Sequence, residues 1–180
     1  MMRGRVVAAV VFAAIGVAVL FSLPRAGPDW LTERPAWHQL PLTNARTGET
    51  FTFRDFAGKT VYVEPMATWC SNCRMQLGIV REVHARVDPE HVVFIALSIE
   101  TSLPDAQLAR YANAAGFDWL FAVARLELYE ELATTFGHSV LNPAVTPHFI
   151  IKPDGSTSAL ATGDLSVEGL IQTLSAHGGV

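Results

Sequence analysis

Cysteine is scarce in this chain of 180 residues: there are two, Cys70 and Cys73, with two residues between them. A secreted domain held together by structural disulfides spreads several cysteines along its length, so the spacing argues against a stapled framework. A four-cysteine zinc site within one chain is also excluded, because there is no second pair. Excess positive charge is missing too: 13 Lys and Arg stand against 17 Asp and Glu, for a formal net charge of −4. No basic patch stands out, and nucleic acid is not an expected partner. There is no internal repeat and no low-complexity tract. What remains is a C-x-x-C pair, spaced for redox chemistry or for half of a metal site.

Only one long apolar run occurs. Arg3 and Arg5 precede an uncharged stretch from Val6 to Leu23. As a helix it would span about 27 Å, close to the hydrocarbon core of a bilayer. The run is longer than a usual signal core, and Ser22 to Gly27 lacks a clean small-x-small cleavage site, which favours a retained anchor. The two arginines should stay cytoplasmic, leaving the rest of the chain outside the cytoplasm, periplasmic or on the outer face. Residues 1–23 are therefore read as a single-pass transmembrane anchor or uncleaved signal. Residues 24–35, with Pro24, Pro28 and Pro35, are read as a linker, and residues 36–180 as one globular domain.

Within that domain, His38 to Phe53 reads as a hairpin turning at Asn44–Gly48. A short turn or helix around Arg54 to Gly58 follows. Val61–Val63 reads as a strand leading into the cysteines. Leu77, Val80, Val83 and Val87 recur at helical spacing after Cys73, so a helix begins at or near the pair. The unbroken run Val92–Leu97 marks a strand covered on both faces. Pro104 opens a helix that Gly116 stops. Leu120–Val123 reads as a strand and Leu126–Phe136 as a helix. His148–Ile151, the turn Pro153–Gly155 and Ser156–Ala161 form a second hairpin, and a helix from Ser166 or Val167 to His177 closes the chain. This order predicts a layered α/β domain with a mixed sheet.

The pair thus falls between a strand and the start of an amphipathic helix. A helix N-terminus offers unpaired N–H groups and partial positive charge, and both favour a thiolate, the nucleophilic form of cysteine. Cys70 is expected to be the more exposed sulfur. Cys73 lies on the inward stripe, placed to attack Cys70 in a mixed disulfide.

The segment Met66-Ala67-Thr68-Trp69-Cys70-Ser71-Asn72-Cys73-Arg74 resembles the active-site segment of the thioredoxin superfamily, and in particular its TlpA/ResA-like membrane-anchored thiol-disulfide oxidoreductases. The resemblance extends to the N-terminal anchor, to the hairpin ending in Phe56-Ala57-Gly58-Lys59, to the Thr-Trp-Cys approach, and to Val145-Thr146-Pro147-His148-Phe149-Ile150-Ile151. It covers roughly residues 36 to 177. It implies a thioredoxin-like fold, with a mixed central sheet flanked by helices, that works as a monomer and needs no cofactor. Its partners would be protein disulfides and a membrane thiol electron donor. Clients in cytochrome c maturation or copper-site assembly are what the resemblance suggests. It also implies that Pro147 is a cis-proline facing the cysteines, that the Thr146 backbone pairs with a client strand, and that Trp69 shapes the docking surface.

Two departures from that family stand out. A Glu commonly follows the second cysteine by three residues; here that position is Gln76, which cannot exchange a proton. Thioredoxins instead bury an acid six residues before the first cysteine, and here that position is Glu64. Glu64 is therefore the candidate proton acceptor for Cys73. The second departure, Pro65-Met66 in place of two bulky residues, has no explanation in the sequence.

The competing reading is a copper chaperone of the SCO type, which shares the fold and binds Cu(I) through two cysteines and a histidine. His138 and His148 are the candidate third ligands. The spacing of Cys70 and Cys73 is one residue tighter than that family uses and favours thiol exchange. A peroxiredoxin is excluded because Pro65 and Thr68 are misplaced relative to Cys70. A passive structural disulfide is disfavoured by the helix-end position of Cys70.

Overall fold

The computed structural model describes residues 35–179. The expected anchor, residues 1–23, and nearly all of the linker lie outside that range. Among the described residues no helix is long and apolar enough to cross a membrane.

The described chain begins with a 3-10 turn, Ala36–Gln39, which buries Trp37. Two short strands, β1 (Leu42–Thr43) and β2 (Thr50–Phe51), pair antiparallel as a separate small sheet. A second 3-10 turn, Phe53–Phe56, follows. It is closed by a capping box in which the Thr52 and Asp55 side chains and backbones bond reciprocally.

The main sheet comes next. β3 (Thr60–Met66) is buried along its whole length. β4 (Val92–Ser98) pairs parallel to it, and β5 (Leu120–Val123) pairs parallel to β4. β6 (Phe149–Ile151) joins the other side of β3 antiparallel, giving the order β5-β4-β3-β6. Parallel neighbours need crossovers, and α1 (Ser71–His84) and α2 (Asp105–Ala115) provide them. α3 (Leu126–Phe136) and α4 (Val167–Ala176) complete the layers. The residues of α1, α2 and α4 that face inward share one apolar cluster with Tyr62, Met66, Phe94 and Ala96 of the sheet. The opposite sheet face packs Val61, Val63, Ile95 and Leu97 against α3 and the N-terminal aromatics Trp37, Phe51 and Phe53. The central strands are covered on both sides, which is why Val92–Leu97 is an unbroken apolar run.

The helix boundaries follow local chemistry. Gly116 ends α2 in a left-handed conformation (φ 69°) that a side chain disfavours. Ser166 opens α4 by accepting the Gly169 N–H.

The late hairpin differs from its expectation. β6 is a strand, but the return segment forms no strand of its own: it meets this stretch through two isolated bridges, His148 with Ala161 and Ile151 with Thr157, and through the Ser158 N–H to Ile150 O. The Ser158 side chain takes the Ile150 N–H at 2.9 Å, so a hydroxyl replaces a backbone carbonyl and the ladder breaks. Two further 3-10 turns, His138–Leu141 and Pro143–Val145, have no counterpart in the sequence reading.

Candidate active site around the Cys70–Cys73 pair

β3 runs to Met66, and the chain then crosses Ala67–Trp69 to reach Cys70, the N-cap of α1. That crossing is held by Glu100, which lies just beyond β4. Its carboxylate accepts the Thr68 N–H at 2.7 Å, the Thr68 hydroxyl at 3.1 Å and the Ser98 hydroxyl at 3.3 Å. Sequence reading missed this carboxylate, because its partners come from two strand ends that only the fold brings together.

Cys70 and Cys73 form a disulfide, with Cα atoms 5.4 Å apart. Cys70 Sγ accepts the Cys73 N–H at 3.2 Å, a donor from the first turn of α1. Cys70 is the more exposed of the two, though only at 5% against 0%. Cys73 sits on the buried stripe of α1 with Gln76, Leu77, Val80 and Val83. Trp69 is 69% exposed beside Cys70, and Met75 and Val145 are among the other large apolar side chains left open to solvent.

The backbone facing the sulfurs is not the one expected. No cis peptide bond occurs among the described residues, so Thr146–Pro147 is trans. The chain turns here by another route: Thr146 takes a left-handed conformation (φ 44°, ψ 61°), unusual for a β-branched residue. Its N–H donates to Pro143 O at 3.0 Å, and His148 Nδ1 lies 3.2 Å from its carbonyl. Both backbone groups of buried Thr146 thus have partners within the protein, its N–H being committed to Pro143 O. The polar group against the pair is instead the Pro143 carbonyl, 3.3 Å from Cys73 Sγ and 3.5 Å from Cys70 Sγ. The Asn72 side chain donates to Ala144 O at 3.0 Å and ties this turn to the C-x-x-C segment. The Asn142-Pro143 dipeptide was a usable turn signal for this segment.

Glu64 points from β3 to the face that carries Tyr62, Met66 and Cys73, and is 1% exposed. The Tyr62 hydroxyl donates to its Oε2 at 3.4 Å, while its Oε1 has no partner. Burial pushes its carboxyl well above the usual carboxylate range; the Tyr62 hydrogen bond opposes this and the charge of Asp164 adds to it. Tyr62 is itself raised, by burial first and by Glu64 next. Gln76 is buried in the same region. Its Oε1 accepts the Leu165 N–H at 2.8 Å, and its side chain interacts with Tyr62, opposing the rise in the Tyr62 pKa. Gln76 thus has a structural task just ahead of the closing helix.

His148 stacks on Tyr62, with ring centroids 5.7 Å apart, and burial lowers its pKa. His138 stands on an exposed 3-10 turn. Among the described residues no three His, Cys, Asp or Glu side chains assemble into a possible metal site. The structure therefore does not bring His138 or His148 together with the cysteines as a third ligand.

The sheet order, the parallel crossovers and a C-x-x-C pair opening the helix after the first central strand define a thioredoxin fold. Among solved structures the chain is similar to a thioredoxin-family thiol:disulfide interchange protein from Chlorobium tepidum TLS. The identity is 19% over 78% of this chain and 93% of that one, with a TM-score of 0.66. It is also similar to the exposed lipoprotein thioredoxin Etrx1 of Streptococcus pneumoniae TIGR4, at 21% identity over 76% and 98%, with a TM-score of 0.58. A secreted Mycobacterium tuberculosis disulfide oxidoreductase homologous to E. coli DsbE matches at 15% identity over 77% and 96%, with a TM-score of 0.56. No protein-family model matches the chain, and no curated protein matches it. At these identities the likeness is one of fold.

Proposed function

We propose that this protein is a thiol-disulfide oxidoreductase that reduces disulfides in client proteins through Cys70 and Cys73. The observation that carries the reading is the placement of the pair: Cys70 caps α1, and its sulfur receives an N–H from the first helical turn. That donor and the helix end favour a Cys70 thiolate. In the reduced protein, Cys70 attacks a client disulfide, forms a mixed disulfide and releases one client thiolate. Cys73 then loses its proton and attacks Cys70, which releases the second client thiol and leaves the Cys70–Cys73 disulfide. Glu64 is the proton acceptor for that second step. Trp69, exposed beside Cys70, forms part of the surface that meets the client.

The direction of electron flow rests on the residues inside the pair. Ser71 and Asn72 carry no formal charge. A helix end contributes about 0.3–1 kcal/mol, up to ~2 when partly buried. Since about 1.4 kcal/mol corresponds to 30 mV for a two-electron couple, this moves the potential by only some tens of millivolts. That is too little to lift a thioredoxin-like value of about −270 mV to the roughly −120 mV of a strong oxidant. Burial lowers the pKa of His148 and so disfavours the positive charge that could replace the missing one.

The apolar run Val6–Leu23 behind Arg3 and Arg5 supports an anchored protein whose domain lies outside the cytoplasm. A reductase there needs re-reduction, so a membrane thiol donor belongs to the reading. Assembly of c-type cytochromes or of copper sites would supply suitable clients.

Trapping tests the proposal. Cys73→Ser should accumulate mixed disulfides through Cys70, and Cys70→Ser should accumulate none. Adducts that persist in Cys70→Ser and vanish in Cys73→Ser would reverse the roles.

A further inference from the structure

The two sulfurs occupy unequal polar surroundings. Cys70 Sγ has both a donor and an acceptor beside it: the Cys73 N–H at 3.2 Å and the Pro143 carbonyl at 3.5 Å. For Cys73 Sγ, the polar neighbour is the Pro143 carbonyl, closer at 3.3 Å and placed to accept an S–H once the pair is reduced. A carbonyl oxygen can accept an S–H and repels a thiolate, whereas an N–H does the reverse. Two side chains fix this carbonyl in place. Asn72 Nδ2 donates to Ala144 O at 3.0 Å, and Asn142 Oδ1 accepts the Ala144 N–H at 3.3 Å. Pro143 O also accepts the Thr146 N–H at 3.0 Å, which closes the turn and leaves its second lone pair for sulfur. The left-handed Thr146 (φ 44°) that this closure requires is a strained conformation for threonine.

We infer that Asn72 is a positioning residue for the thiol chemistry, holding the Pro143–Val145 turn so that the Pro143 carbonyl keeps Cys73 a neutral thiol while Cys70 is the thiolate. The inference rests on the proposed thiol exchange. When a dithiol donor reduces the pair, the Sγ–Sγ bond breaks and the pair takes up two electrons and two protons. The proton on Cys73 stays, shared with Pro143 O, and the proton on Cys70 leaves to solvent. The Cys70 thiolate then forms a bond to one client sulfur as the client S–S bond breaks, and the departing client thiolate takes a proton from water. Cys73 cannot compete for the client while its proton is held, and so the order of the two attacks is set.

The ionisable groups on the elements around the pair are Tyr62 and Glu64 on β3, Arg74, Arg81, Glu82 and His84 on α1, Glu100 after β4, Asp105, Arg110 and Tyr111 on α2, His148 before β6, Asp164 before α4 and Glu168 on it. The Asn142–Val145 segment carries none. Replacing Asn72 removes no charge, so a change in cysteine titration would report on the turn itself.

The test is iodoacetamide alkylation of the reduced full-length protein across pH, with each cysteine followed by mass spectrometry. In the parent protein Cys70 should alkylate at lower pH than Cys73. In Asn72→Ala the Cys73 midpoint should fall by up to about one pH unit, the scale of one hydrogen bond to the neutral form. Asn142→Ala should move it the same way, and Asn72→Gln, which keeps the donor, should restore part of the gap. Unchanged Cys73 midpoints in both alanine variants would overturn the inference. Catalysed reduction of insulin by dithiothreitol separates the two claims. A parent protein inactive there, with the Cys73 midpoint still dependent on Asn72, contradicts the proposed function and supports this inference. An active parent with midpoints insensitive to Asn72 does the opposite.

Discussion

Tyr62 and Glu64 stand two residues apart on β3 and point to the same buried face, where the Tyr62 hydroxyl donates to Glu64 Oε2 at 3.4 Å. Neither group meets water, and the other carboxyl oxygen of Glu64 has no partner. Burial raises the pKa of this carboxyl, so that once ionised it is a stronger base than an ordinary carboxylate and can take the proton of a nearby thiol.

Glu64 should therefore make stability depend on pH. Its folded pKa is raised well above its ordinary value of 4.5, mainly by burial. Between those two values the folded state binds more protons than the unfolded state. The contribution is fully present below pH 4.5 and is lost as pH rises through the folded pKa. Glu64→Gln should flatten this loss in urea titrations run at several pH values, while slowing the resolving step in stopped-flow thiol exchange. Tyr62→Phe, which removes the hydrogen bond that favours the carboxylate, should steepen the loss. A Glu64→Gln protein with the parent's pH dependence in both measurements would leave this acid without a role.

His148 should act on the opposite limb. Burial lowers its pKa below the ordinary 6.5. The unfolded state then takes up a proton first, so this contribution is complete above pH 6.5 and falls as pH drops through the window below it. His148→Gln should reduce the loss of stability between neutral and mildly acid pH, as measured by thermal or urea unfolding. An unchanged acid limb would mean that the imidazole titrates alike in the folded and unfolded protein, against the lowering by burial.

Glu100 fastens the turn that delivers Cys70. Its carboxylate accepts from the Thr68 N–H, the Thr68 hydroxyl and the Ser98 hydroxyl. Hydrogen bonds to a charged group are each worth about 1.5–3 kcal/mol, and they share partners here. Glu100→Ala should cost about 2–3 kcal/mol in chemical denaturation and broaden the pH range over which Cys70 alkylates. A loss below about 0.5 kcal/mol would show that the turn is held by packing alone.

The sequence exposes the scaffold well, for identifiable reasons. Pro104 and Gly116 bracket α2 because each disfavours helix on one side only. Val92–Leu97 reads as a strand because both of its faces are covered. Leu120–Val123 and Leu126–Phe136 match their elements to the residue. Other features depend on tertiary partners that periodicity does not encode. The return strand of the late hairpin is broken by one hydroxyl, Ser158, bonding the Ile150 N–H. The expected cis-proline is replaced by a left-handed Thr146, a choice made by the Pro143 and His148 contacts on either side. The cysteine pair was legible from its spacing. The carbonyl that faces it, seventy residues or more further along the chain, was not.

The central claim is that the pair cycles as a reducing dithiol, and the equilibrium reduction potential of Cys70–Cys73 tests it most directly. Titration of the purified protein against glutathione buffers, read by mass shift after alkylation, gives that value. A potential near −270 mV, in the region of thioredoxin, is the result predicted. A value above about −180 mV, the region of protein disulfide isomerase, would contradict the reductase assignment.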